Sequence, residues 1–329
     1  MIIENLKPFE GLHCETTATG TLLKHIGIDL SEPLLFGLGE GLGFIFWNMK
    51  LMDFPFIGGR IKTDLLTQNI AKNLNLKLES SETSSIKKAW EAARQGIDSG
   101  LPVGLKLDCY HLEYFPVKIH FAGHYVALYG YDENYAYLID TQAQGCRVKT
   151  SLKSLELARN EKGAMSSRNL SYTIRSTNEK YILEKAILHA IKRNANDFLN
   201  PPINNIGFKG ILKTGKEIKK WLENSKDIKR DFKTTAMLME KGGTGGALFR
   251  NLYKDFLMES YELVRIDNIK EAQEMFCDIA KQWTEVSRLF DQTGETKNRR
   301  YIDEISEILI DISGKEKSAM EILMEIDES

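Results

Sequence analysis

The hydrophobic pattern changes period near residue 177, and that change constrains the fold more than any single residue does. Before it, short strand-like runs at 101–107, 124–131, 136–139 and 170–174 alternate with helical stretches at 16–26 and 85–95. After it, apolar residues recur three or four apart through 179–198, 211–223, 247–264, 270–290 and 301–312, with short polar or glycine-bearing links between them. The segment 125–131, the run DENY and the segment 136–139 spell a β-hairpin. A helix followed by mostly antiparallel strands, and then by helices alone, gives an α+β chain of two domains, 1–177 and 178–329. The length of 329 residues agrees, at roughly 100–200 residues per domain.

Charge and cysteine usage narrow the function classes. The formal net charge is −2, from 44 basic and 46 acidic residues, without the basic excess of a nucleic-acid binder. Cys14, Cys109, Cys146 and Cys277 are widely spaced, with no C-x-x-C pair and no zinc-ligand spacing, so neither a disulfide framework nor a metal site is expected. A reducing cytoplasm is the expected compartment. The beginning MIIENLKPFEGLHCETT lacks a basic start followed by an apolar run, and no stretch approaches ~18 uninterrupted apolar residues. Neither a signal peptide nor a membrane span is therefore expected.

Cys14 lies where a helix begins, in HCETTATG after Gly11, and unpaired N–H groups at a helix start favour a thiolate. A cysteine nucleophile also needs a base. His124 opens the strand GHYVALYGYD, and Asp140 ends the next strand, YAYLID. A turn at 132–135 would return Asp140 alongside His124, where a carboxylate could grip the second ring nitrogen. Cys14 as nucleophile, His124 as base and Asp140 as orienting group therefore form the candidate catalytic set. Cys109, Cys146 and Cys277 read as packing residues, and His25, His111, His120 and His189 as structural or solvated.

These residues, in the order Cys, His, Asp, resemble those of the papain-like peptidases that trim leader peptides from bacteriocins. A closer resemblance is to the acyltransferase family of butirosin biosynthesis. It rests on GLHCETTATGTLLKHIG, FGLGEGLGFIF, DCYHLEY, GHYVALYGYD and KGGTGGALFRNLYKDFL, which together span almost the whole chain. The resemblance implies a papain-like catalytic domain followed by a helical domain covering the active site. It implies that an acyl group arrives as a thioester on the phosphopantetheine arm of an acyl or peptidyl carrier protein. That group passes to Cys14 and is taken by a primary amine or diamine, with no cofactor of the enzyme's own. One departure stands out: papain-like peptidases usually place a Gln six residues before the cysteine, and here that residue is Pro8, which offers no donor. The oxyanion donors must then come from the Cys14 N–H or from the glycine run at 37–43.

The remaining candidates are substrate contacts. His13 is either a group supporting the site or a neighbour at the helix start. Gly39 and Glu40 sit in the glycine run, which reads equally as a tight turn without a ligand. Tyr110 and Tyr114 fit either a pocket wall or a half-buried strand. Gly243 and Thr244 lie in a loop that lacks the Lys-Ser/Thr of a phosphate loop and is expected to face the active site. The alternating charges at 216–220 and 226–233 read as a solvated helix face or as a surface for an acidic carrier protein. Two other functions remain open: a cysteine peptidase or thioester hydrolase, and a binding protein that kept the fold without the activity.

Overall fold

The computed structural model describes residues 1–49, 52–163 and 166–327. In chain order its elements are α1 (Cys14–His25), α2 (Glu32–Leu38), β1 (Leu42–Trp47), β2 (Phe56–Arg60), α3 (Leu65–Asn73), β3 (Lys77–Ser81), α4 (Ile86–Asp98), β4 (Val103–Leu107), β5 (His124–Tyr131), β6 (Tyr135–Ile139), β7 (Arg147–Ser151), α5 (Leu152–Asn160) and β8 (Ser171–Arg175). Helices follow: α6 (Leu183–Leu199), α7 (Gly207–Glu217), α8 (Trp221–Asn224), α9 (Ile228–Lys241), α10 (Arg250–Val264), α11 (Asp267–Thr296) and α12 (Arg299–Met324). The class is α+β, with antiparallel sheets and a helical C-terminal part. Contacts divide the chain into two compact units, Met1–Leu35 with Thr63–Tyr181 and Phe36–Lys62 with Ile182–Ser329. Among the described residues, no helix is long and apolar enough to cross a membrane.

The first unit is built on a six-stranded antiparallel sheet in the order β3-β8-β4-β5-β6-β7. The period-2 alternation works as the sequence implies. Val103, Leu105 and Leu107 of β4, with Val126 and Leu128 of β5 and Leu138 of β6, form one apolar core with Ala93 and Ile97 of α4 and Leu155 and Ala158 of α5. The β5–β6 turn is closed by Asp132, whose Oδ1 accepts from the N–H groups of Asn134 and Tyr135, both at 2.7 Å. The strands stay paired as Ala127↔Ile139 and Leu128↔Leu138, then shift register before Gly130. There the N-terminus pairs against the strand, with Ile3 N–H donating to the Tyr129 carbonyl at 2.9 Å. A side chain at position 130 would run into Ile2, which explains the glycine.

Helix α1 is buried along most of its length, yet it is rich in threonine, a residue that gains little from helix interiors. Each hydroxyl is satisfied. Those of Thr16 and Thr17 donate to the His13 carbonyl at 2.9 and 2.7 Å, and that of Thr21 donates to the Thr17 carbonyl at 2.8 Å. Thr19 pairs with Thr67 at 2.8 Å and with the Tyr172 hydroxyl at 3.1 Å. Buried hydroxyls cost free energy unless bonded, so this pattern lets a polar helix lie in the interior. The helix ends where the sequence predicts. Gly27 takes φ +87°, and the N–H of Ile28 closes on the Leu23 carbonyl at 3.0 Å.

The second unit joins the β1–β2 hairpin to the helices α6–α12. The glycine run at 37–43, read from sequence with the first domain, counts structurally with this unit. Its glycines answer to packing. A Cβ on Gly37 would strike the Phe256 ring, one on Gly41 the Phe36 ring, and one on Gly43 the backbone at Arg60. The loop before α10 is also more irregular than its periodicity implies. The segment expected to be helical from 247 becomes α-helical only at Arg250, because Ala247, Leu248 and Phe249 all take positive φ (49°, 49° and 75°). This turn delivers a fully buried Arg250 to Glu316 through two bonds, Nε–Oε1 and Nη2–Oε2, each 2.8 Å long. The charged stretch 226–233, read as a solvated face, enters α9, whose Asp231, Phe232 and Thr235 are buried.

Candidate active site

Cys14 is the first residue of α1, and as such it has no intrahelical acceptor for its own N–H. The residue before it, His13, is the buried N-cap: its backbone is extended, its carbonyl accepts from the Thr17 N–H at 2.9 Å, and its Nδ1 faces the Thr16 N–H at 3.5 Å. A carboxylate the sequence did not single out pins this turn. Glu32 accepts the Leu12 N–H on Oε1 and Oε2 at 3.0 and 2.9 Å, the His13 N–H at 2.8 Å and the Thr16 hydroxyl at 2.6 Å. Nothing in the spacing signals it, since Glu32 opens a short helix beyond a loop.

The turn ahead of Cys14 is also tied to the end of β6. The N–H of Gln142 donates to the Gly11 carbonyl at 3.1 Å, and its side-chain amide donates to the Glu10 carbonyl at 3.1 Å. Asp140 lies two residues before Gln142, so these bonds carry the strand end that holds Asp140 to the loop that holds Cys14. His124 begins β5, the neighbour of β6 in the sheet. Its Nε2 bonds to Oδ2 of Asp140 at 2.8 Å, and the Cys14 side chain lies near enough to the same imidazole to raise its pKa. With Nε2 taken by the carboxylate, Nδ1 is the nitrogen left for Cys14. The structure therefore brings Cys14, His124 and Asp140 together in one unit, with Cys14 half-buried and the other two buried.

The electrostatics favour a charged imidazole. Burial works against protonating His124, but the Asp140 carboxylate and Cys14, by charge and by hydrogen bond, outweigh it and hold its pKa well above the ordinary 6.5. Asp140 is supported on both oxygens. Oδ2 also accepts the Tyr114 hydroxyl at 2.8 Å, and Oδ1 accepts the Thr141 N–H at 2.7 Å. Burial, and then the neighbouring carboxylate, push the Tyr114 phenol well above its usual value, so it stays a donor. Phe115 presents to the His124 ring in a T-shaped contact, with centroids 5.2 Å apart. From sequence Tyr114 could only be placed as a pocket wall or a strand residue. Its bond to Asp140 depends on the loop from 112 to 123 folding back over β5 and β6, which no periodicity records.

Of the other candidates, Tyr110 belongs to the first unit and Gly39, Glu40, Gly243 and Thr244 to the second. Tyr110 sits in a 3-10 turn, 109–111, and stacks on His120 at 4.0 Å, so it belongs neither to a strand nor to the contacts of Cys14, His124 and Asp140. Cys109, next to it, is buried and donates to the Ile119 carbonyl at 3.3 Å; burial pushes its thiol up. Gly39 and Glu40 belong to the second unit, where Glu40 is buried, takes φ +54° and lies 3.5 Å from Arg193. Gly243 and Thr244 are in that unit too. Gly243 takes φ +74°, and the Thr244 hydroxyl donates to the Met239 carbonyl at 2.7 Å while accepting the Gly246 N–H at 3.1 Å. Within their unit, both shape the turn that leads to Arg250.

Comparison with known families adds two matches. Residues 13–141 match the family described as butirosin biosynthesis protein H, N-terminal, and this stretch contains Cys14, His124 and Asp140. Residues 153–323 match a domain of unknown function, DUF4872. Comparison with curated proteins finds no match. Since the DUF4872 match takes in more than half of the chain, the protein belongs to that family, and the stretch ahead of it is similar to the N-terminal domain of butirosin biosynthesis protein H.

Proposed function

We propose that the protein is a biosynthetic acyltransferase of specialised metabolism that forms amides through an acyl-Cys14 intermediate on a papain-like catalytic domain. The observation that carries this reading is the Cys14 thiol at a helix start, beside an imidazole whose Nε2 is held by Asp140 at 2.8 Å, in a stretch that matches the butirosin-type family. In the first half-reaction the Cys14 thiolate attacks the carbonyl of an acyl thioester carried on the phosphopantetheine arm of an acyl or peptidyl carrier protein. The oxyanion meets the Cys14 N–H, and the carrier thiol leaves with a proton from His124. In the second, a primary amine attacks the acyl-cysteine, neutral His124 takes the amine proton, and the C–S bond breaks to give the amide and free Cys14. Asp140 holds the ring in place and stabilises the imidazolium without taking its proton.

Amide formation is favoured over peptide cleavage because Pro8 cannot supply the oxyanion donor that the peptidases draw from a Gln, and because an amine attacks a thioester faster than water does. Within the family the sequence is similar to the amide-forming ligase of closthioamide assembly, so a diamine is the first acceptor to try. Intact-protein mass spectrometry with an acyl-loaded carrier protein tests the reading. The expected result is a wild-type adduct equal to the acyl group, followed by more amide than free acid as amine is raised. Predominant acid at saturating amine would point to a hydrolase, cleavage of unmodified peptides to a peptidase, and no adduct to a non-catalytic binding protein.

A further inference from the structure

We propose that His111, His120 and Glu161 bind one divalent transition metal of the zinc class, which clasps the two ends of the loop that backs His124 and Asp140. The ligand atoms of these residues all lie within 4.8 Å of one another. His111 Nε2 and Glu161 Oε2 are already 2.5 Å apart, sharing a proton that a metal would replace. Tetrahedral zinc with ligands at about 2.0–2.2 Å needs ligand atoms roughly 3.4 Å apart, a spacing that atoms gathered within 4.8 Å reach by small side-chain rotations. Glu161 is remote in sequence from His111 and His120, and the three match no metal-ligand spacing, so the sequence carries no sign of the site.

His120 distinguishes the cluster from a simple ion pair. Its side chain is 58% exposed, yet its orientation is constrained twice over. The ring stacks on Tyr110 with centroids 4.0 Å apart and planes 10° apart, and Nδ1 faces Asp108 Oδ2 at 3.3 Å. Asp108 is itself fixed, because its Oδ1 accepts the N–H groups of Tyr110 at 2.8 Å and Phe121 at 3.3 Å. A carboxylate on one ring nitrogen, leaving the other free, is how metal-binding histidines are commonly oriented. Fixing an exposed side chain costs rotamer entropy with little burial in return, and a metal bond would offset that cost. Imidazole and carboxylate donors suit zinc, and three protein ligands leave a fourth position for water.

The consequence is mechanical. His111 and His120 bracket the loop that carries Tyr114, bonded to Asp140, and Phe115, set against His124. A metal joining both ends to Glu161 would hold these supports in place without entering the reaction, so this inference stands whether or not the proposed acyl transfer does.

Equilibrium dialysis against Zn2+, with bound metal counted by mass spectrometry, tests it. The starting protein is the Cys14→Ala variant, because Cys14 and His124 could bind zinc themselves. The expected result is one zinc per chain in Cys14→Ala and none in Cys14→Ala/His120→Ala, where the exposed position leaves the fold unaffected. Asp108→Asn in the Cys14→Ala background should weaken binding by about 10–100-fold, the usual effect of losing an orienting partner. Zinc retained after the His120 substitution, or zinc bound by the wild type but absent from Cys14→Ala, would overturn the proposal.

Discussion

Two buried polar constellations, one in each unit, obey the same physics and differ in one respect. In the first, His124 and Asp140 pair inside the protein, and Asp140 also takes bonds from Tyr114 and Thr141. In the second, Arg250 grips Glu316 through two bonds, donates to the carbonyls of Gly59 and Leu248 at 3.2 and 2.8 Å, and lies over the Trp283 ring, while the Trp283 N–H reaches Glu316 at 2.7 Å. Both satisfy the rule that a buried charge must be paired and further hydrogen-bonded. The first opens onto a half-buried thiol, Cys14, whereas Arg250 and Glu316 are both fully buried. Under the proposed function, the pair that meets the half-buried thiol serves the reaction and the fully buried pair serves the fold.

This comparison predicts a clean separation of effects. Cys14→Ala should abolish both the acyl adduct and turnover, a loss of several orders of magnitude, while leaving the unfolding midpoint nearly unchanged. His124→Ala should approach it in severity. Asp140→Asn should be milder than His124→Ala, because an amide oxygen can still accept the Nε2 proton. Substantial amide formation by the alanine variant at position 14, or a smaller loss from His124→Ala than from Asp140→Asn, would break the assignment of roles.

Glu316→Ala should have the opposite signature. It leaves Arg250 buried without its partner, which costs about 3–5 kcal/mol, read as a lower midpoint in denaturant unfolding. Replacing both, Arg250→Met with Glu316→Leu, should recover much of that loss, since apolar residues of similar volume often substitute for a buried pair at little cost. Acyl-Cys14 formation below the unfolding transition should survive in the double variant. If stability recovers and the adduct does not, the network acts in the reaction, and the contrast between the two constellations fails.

The two sites also differ in how far the sequence reveals them. Cys14, His124 and Asp140 stand at boundaries of periodic elements, namely a helix start, a strand start and a strand end, and each is a residue type with few reasons to be there. The β5–β6 pairing then follows from alternation and a turn, so their proximity can be worked out. Arg250 and Glu316 are 66 residues apart in helices, where charged residues normally face solvent, and nothing local marks them as buried. Glu32 and Tyr114 escape for a related reason: they act through irregular loops whose paths depend on tertiary bonds such as Gln142 to Gly11. The turn at 241–249 was visible as glycine-rich, but the positive φ of Leu248 and Phe249 was not, because bulky residues adopt it only when their surroundings force them to. The long helices were legible in existence and less so at their ends, as with α12, whose apolar stripe continues well past 312 to Met324.

The smallest effect is the most informative about how Asp140 is tuned. Tyr114→Phe removes one of the donors on the Asp140 carboxylate and leaves the bonds from His124 and the Thr141 N–H in place. The lost bond should cost about 1 kcal/mol of stability. Its electrostatic effect has a definite sign. With one donor gone, more of the carboxylate's charge acts on His124, whose pKa is already raised by Asp140 and Cys14 against the pull of burial. Because that pKa is raised, the pairing contributes stability that is fully present below the unfolded value near 6.5 and is lost as pH rises through the folded value. The alkaline limb of the acylation rate, which follows loss of the imidazolium proton, should therefore move to higher pH in Tyr114→Phe, with a modest fall in the plateau rate. A pH–rate profile of adduct formation reads both quantities at once. An unshifted limb with a lowered plateau would reduce Tyr114 to a packing residue, and a limb moved to lower pH would mean that the phenol strengthens the hold of Asp140 on His124 instead of sharing its charge.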